Sequence, residues 1–171
     1  MNRTIELLRL LLACNTIEGR KKLQKIVHIL REMGYPFPFR YGYHLHGPFS
    51  SELKSEIEVL VAERLVEEVQ GDTLYDSRMY TYKASREVCD LVGPQVTADW
   101  VPVARDLNNK SAQELEAIST LIYLARSGHG EDDIQSRFEK LKPHLSQYFA
   151  SAWLLAESVL SKQPMQHRSD S

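Results

Sequence analysis

Apolar residues recur at helical spacing through the first third of the chain. Ile5, Leu8, Leu11 and Leu12 fall on one side of a segment from Thr4 to Asn15. After a break at Asn15–Gly19, Leu23, Ile26, Val27, Leu30 and Met33 form the clearest stripe in the sequence. Lys21, Lys25, His28 and Glu32 lie on the other face of that second helix, and Gly34 suits its C-terminal cap. Pro36 and Pro38 cannot extend it, because proline lacks the amide proton. From Phe37 to Leu45 the period becomes two. Phe37, Phe39, Tyr41, Tyr43 and Leu45 share one face, and Arg40, Gly42, His44 and His46 the other. This predicts a half-buried strand stopped by Gly47-Pro48. Ser50 or Ser51 then caps a helix striped by Leu53, Ile57, Leu60 and Val61. Leu65–Gln70 and Met79–Lys83 read as the strands of a hairpin that turns at Gly71-Asp72, its loop carrying Asp72, Asp76, Ser77 and Arg78. Ser85 opens a short helix that ends before Gly93-Pro94.

The remainder reads as helix. One runs from Thr97 or Ala98 to Leu107. The capping box Ser111-Ala-Gln-Glu114 opens another, with Leu115, Ile118, Ile122 and Ala125 on one side. Ile134, Phe138 and Leu141 mark a third. Leu145, Tyr148, Phe149, Ala152, Leu155, Ala156 and Val159 form the last stripe. The pattern predicts an α+β, mostly α protein. A winged helix-turn-helix-like domain spans residues 1–93, a C-terminal helical region 94–162 and a disordered tail 163–171. Strong C-terminal stripes of this kind often bury against a second copy, so a homodimer is expected.

Composition adds restraint. The 171 residues carry a net charge of −2 with a pI near 6.3, so any phosphate contact must come from a local patch. Cys14 and Cys89 lack metal spacing and fit a reducing cytosol. The apolar run Leu7–Leu12 is interrupted by Arg9 and too short to span a membrane, which gives the expectation of a cytoplasmic protein without membrane contact.

No catalytic constellation stands out. His44 and His46 alternate along a strand, but a zinc site needs further ligands at useful spacing. Cys14 reads as a buried thiol rather than a nucleophile. Gly128–Asp133 reads as a loop entering a helix whose acidic first turn complements the dipole. The Glu-x-Lys of Phe138–Lys142 falls at helical spacing. Tyr41, Tyr43, Tyr75, Tyr80 and Tyr82 read as sheet aromatics packed on a helix. With no glycine-rich phosphate loop, neither enzyme activity, cofactor nor metal is expected.

Two segments, Gly19–Leu30 (GRKKLQKIVHIL) and Tyr41–Glu68 (YGYHLHGPFSSELKSEIEVLVAERLVEE), resemble the YwgA-like family of bacterial proteins, itself similar to the Panacea antitoxin domain. Lys-Leu-Gln-Lys and a Gly-Pro ahead of a helix carry the resemblance, which covers about residues 3–90. It implies a winged-helix-like fold in a cytoplasmic bacterial protein and a setting of toxin neutralisation, mobile elements or defence.

Charge along the chain is polarised. Between Ser50 and Gln70, six glutamates oppose Lys54 and Arg64, and Glu52, Glu56 and Glu63 share one helical face. Such a surface repels phosphate. Between Gly19 and Met33, Arg20, Lys21, Lys22, Lys25 and Arg31 oppose Glu32 alone. Two functions follow as expectations. A non-enzymatic regulator or antitoxin-like adaptor would bind DNA through Arg20, Lys21, Lys22 and Lys25, with Arg78 in the wing. Alternatively, a protein-interaction module, associated with a toxin or a defence system, would use Glu52, Glu56 and Glu63 without touching DNA.

Overall fold

The computed structural model describes residues 2–73 and 76–162; for 72, 73 and 76–78 the description is of backbone alone. Asn2 caps helix α1 (Arg3–Cys14) by accepting from the Thr4 amide, and Leu7, Leu8, Leu10 and Leu11 are fully buried. The break after α1 contains a short strand, β1 (Ile17–Glu18), which the hydrophobic pattern does not announce. Helix α2 (Arg20–Glu32) follows at once.

The expected strand over Phe37–Leu45 is largely replaced. Phe37 and Phe39 are buried as predicted, but they lie on an irregular path, since Pro36 and Pro38 remove the amides a ladder would use. Only β2 (Gly42–His44) is strand, and Gly47-Pro48 does not stop it: Gly47 and Pro48 belong to the returning strand β3 (Gly47–Phe49). The turn is at Leu45 and His46, which leaves Leu45 85% exposed rather than on the inner face.

Ser50 caps helix α3 (Ser51–Ala62), its hydroxyl accepting from the Leu53 amide at 3.1 Å, and Leu53, Ile57 and Leu60 face the core. Strands β4 (Val66–Thr73) and β5 (Asp76–Ala84) form a longer hairpin than predicted, in register from Val66↔Ala84 to Gly71↔Met79 and, after a register shift, pairing again at Thr73↔Asp76. Val66 and Tyr82 are its buried anchors. β1 pairs with β5, so the sheet order is β1-β5-β4, all antiparallel. Helix α4 (Arg86–Val92) ends at Gly93, whose φ of +90° needs a residue without a Cβ.

The C-terminal half contributes α5 (Val101–Asn108), α6 (Ala112–Arg126), α7 (Glu131–Leu141), a 3-10 turn (Pro143–Tyr148) and α8 (Phe149–Ser161). The predicted capping box opens α6, where the Ser111 hydroxyl accepts from the Glu114 amide. α6 lies at the centre of the molecule, packed against α2 and β3 on one side and α8 on the other. One continuous apolar cluster runs from Leu7 through Ile26, Leu60 and Ile118 to Val159. The chain is thus α+β and mostly α. The tail expected over 163–171 lies outside the described residues.

Candidate functional site

Polar side chains recur on α2 at Lys21, Gln24, Lys25, His28 and Glu32, and on α6 at Glu116, Ser119, Thr120 and Tyr123. Both sets have helical spacing, so each forms a stripe. Sequence reasoning leaves the first stripe facing water. The structure turns it onto the second. Lys21 Nζ lies 2.9 Å from Glu116 Oε2, His28 Nδ1 lies 2.6 Å from Ser119 Oγ, and Arg126 Nε lies 3.2 Å from Glu32 Oε2. Lys142, from the end of α7, reaches the other oxygen of Glu116 at 2.9 Å and also donates to the Leu45 carbonyl.

The burial is deep. Lys25 is 1% exposed and donates to the Pro48 carbonyl at 2.6 Å, while Glu116 is also 1% exposed. Burial pulls the Lys25 ammonium down to about 7, with Glu116 opposing and Lys142 and Lys21 reinforcing the shift. Burial, helped by Lys25 and Arg31, takes His28 down to about 3, so the ring is neutral at ordinary pH. For Glu116, burial pushes the carboxyl up, but hydrogen bonds from Lys142 and Lys21 outweigh it and hold the group below its usual range. β3 approaches this cluster closely. Gly47 has a φ of +85°, and a Cβ there would lie 2.8 Å from Thr120 Oγ1 and 3.6 Å from Lys25 Nζ. Thr120 Oγ1 is itself buried with no hydrogen-bond partner.

The proposed DNA contacts are therefore not one surface. Lys25 is interior and Lys21 is bound to Glu116, which corrects the expectation of an outward cationic face. Arg20 stays exposed, but its guanidinium lies over the Tyr80 ring at 3.8 Å and beside Glu68. Lys22 is half-buried. The side chain of Arg78 lies outside the described residues, as does Tyr75.

The carboxylates expected on the α3 face are only partly free in charge. Glu52 is paired with Arg3 and Arg40, and Glu56 with Arg3 and the Thr4 hydroxyl. Glu63 is exposed just beyond the helix, and Val59, 52% exposed, sits between them on the same face. Cys14 is buried, and its thiol is pushed up to about 11 by burial against the pull of Arg105 and Lys22, so it is not an activated nucleophile. Among the described residues no group of three or more His, Cys, Asp or Glu could hold a metal.

The inner side of α3 borders a cleft of about 540 Å³ between α2, α3 and the β2–β3 hairpin. Leu23, Phe49, Leu53, Ile57 and Val61 make an apolar wall. His44 and His46, paired in the sequence reading, both line the cleft, together with Lys21 and Lys25. Glu116, Ser119, Thr120 and Lys142 escaped that reading. Their signal was available: a second polar stripe inside an otherwise apolar helix must meet polar partners or lie unsatisfied.

No helix among the described residues is long and apolar enough to cross a membrane. No family model matches the chain, and no solved structure matches it. The chain is 36% identical over 112 residues to YwgA of Bacillus subtilis (strain 168), described as an uncharacterized protein; the match spans 63% of this chain and 65%, just under two thirds, of that relative. The resemblance read from Lys-Leu-Gln-Lys and the Gly-Pro segment thus has a counterpart in a bacterial relative, and it is to YwgA that this chain is similar.

Proposed function

We propose that this protein is a non-enzymatic bacterial adaptor that meets a protein partner through the outer face of α3, and that it does not read DNA through α2. The scaffold reading is a winged-helix variant. Its support is the connectivity, three helices with β1 ahead of α2 and the β4–β5 hairpin after α3, closed as β1-β5-β4. The observation that carries the proposal is the commitment of the α2 cations. A lysine buried against a carbonyl and another bound to a buried carboxylate are not free to neutralise phosphates and so release their counterions.

The outer face of α3 offers the alternative. Ser55 and Val59 form an open apolar-polar centre, with Glu63 beyond it and Glu52 and Glu56 paired with the part-exposed Arg3 and, for Glu52, the exposed Arg40. An exposed apolar residue inside a charged rim is the usual anatomy of a modest protein contact. The partner class this reading names is a toxin or defence component, which is what the resemblance read from the sequence implies.

Two measurements test it. Titration of the full chain into labelled duplex at low salt should give no saturable binding. Salt-steep binding that weakens in an Arg20→Glu/Lys22→Glu variant would overturn the proposal. A protein partner recovered with the chain should be lost in Val59→Glu/Glu63→Lys and retained in the control Glu139→Lys; equal recovery from all three would also contradict it.

A further inference from the structure

The cleft on the inner side of α3 is independent of the adaptor surface, since Leu53, Ile57 and Val61 face it while Ser55 and Val59 face away. Its volume of about 540 Å³ falls within the range of small-molecule sites. Its wall is mostly apolar, and its charged lining is unbalanced. Arg20, Lys21, Lys25 and Lys54 stand against Glu58 and Glu68. Two of these cations are answered locally, Arg20 by Glu68 and Lys54 by Glu58. Lys21 and Lys25 are adjacent on the α2 face and share no carboxylate of the cleft. Glu116, their nearest anion, lies behind them and also serves Lys142.

Donors are in surplus as well. An ammonium has three N–H groups. Lys21 is seen to direct one to Glu116, and Lys25 one to Pro48. His46 stands at the same corner, where burial and the ammonium of Lys21 lower its pKa. Thr120 Oγ1, buried and without a partner, lies behind Gly47 on the side of Lys25. An apolar trough that ends in excess positive charge and spare donors complements one kind of small molecule.

We infer that the cleft binds a small amphipathic carboxylate, its apolar body along Leu23, Leu53, Ile57 and Val61 and its carboxylate at the part-exposed ammonium of Lys21, with Lys25 buried behind it. The carboxylate completes the charge that Glu116 leaves unbalanced, and the body takes the place of water against the α3 stripe. Because the trough lies between α2 and α3, an occupant fixes the spacing of those two helices.

The test is calorimetric titration of the full chain with decanoate, octanoate, decanol and acetate. Decanoate should bind roughly tenfold more tightly than octanoate, as expected for two further buried methylenes. Decanol and acetate, lacking the charge or the body, should bind at least about tenfold more weakly than decanoate. Lys21→Met should weaken decanoate about tenfold, and Val61→Trp, which fills the trough, should abolish it. Methyl resonances of Leu53, Ile57 and Val61 in the parent protein should shift on titration, a readout that needs no variant. Equal affinity for decanol, unmoved methyl resonances, or an apolar peptide with a free C-terminus that displaces decanoate at lower concentration would each overturn the inference.

Discussion

His28 shows at the level of one side chain what burial does to a residue that sequence alone places at the surface. It lies on the polar face of α2, 1% exposed, between Ser119 and the Tyr41 ring. Its folded pKa is about 3, against 6.5 when exposed. A group depressed in this way favours the native state above the unfolded value, and that contribution is lost as pH falls through the window between 6.5 and about 3. The slope is at most about 1.4 kcal/mol per pH unit. From pH 7 to 5 the parent should lose about 2 kcal/mol more stability than His28→Gln, in which nothing titrates there. Urea unfolding of both proteins at the two pH values checks this; parallel losses would mean that the imidazole is accessible and ionises freely.

The elements divide by how local their causes are. Helices α1, α2, α3 and α6 are legible because their apolar spacing is local, and α3 and α6 also carry serine caps next to it in sequence. The β4–β5 hairpin is legible but its tip is not, since a Gly-Asp pair signals a turn and here marks a register shift, beyond which the strands pair again at Thr73↔Asp76. β1 is two residues long and exists because β5 supplies an edge, which no local pattern records. The β2–β3 hairpin reversed the reading of Gly47-Pro48, because the close approach of Gly47 to Thr120 on α6 is a long-range constraint.

The facing stripes of α2 and α6 are the same lesson in charge. Glu116 neutralises Lys142, whose side chain is 4% exposed, and Lys21, which is one third exposed. Removing one partner of a buried ion pair strands the other. Glu116→Gln should therefore destabilise the protein by about 3 kcal/mol, most of it from Lys142. Chemical denaturation measures it. A loss no larger than about 0.5 kcal/mol would place the cluster in solvent rather than inside.

At the scale of the whole molecule, the first ninety residues and the C-terminal helices meet through the polar face that was expected to meet a partner. Periodicity and charge are local to each half, so in the sequence the basic segment reads as available for nucleic acid and α6 as an ordinary core helix. Placed together, α6 takes Lys21 through Glu116, β3 takes Lys25 through the Pro48 carbonyl, and an open trough lies beside them. On the reading proposed above, function is displaced from α2 to the two sides of α3. The architecture could be read from periodicity; the site could not, because its partners are separated by about ninety positions, as Lys21 and Glu116 are.

Amine acylation of the native protein, followed residue by residue by mass spectrometry, tests this displacement most directly. Near pH 8 the low pKa of Lys25 would make its amine more nucleophilic than an ordinary lysine if reagent could reach it. Lys25 and Lys142 should nevertheless react at least about tenfold more slowly than the exposed Lys54, and should catch up only on unfolding. Acylation of Lys25 in the native protein as fast as that of Lys54 would put the α2 cations at the surface and contradict the account.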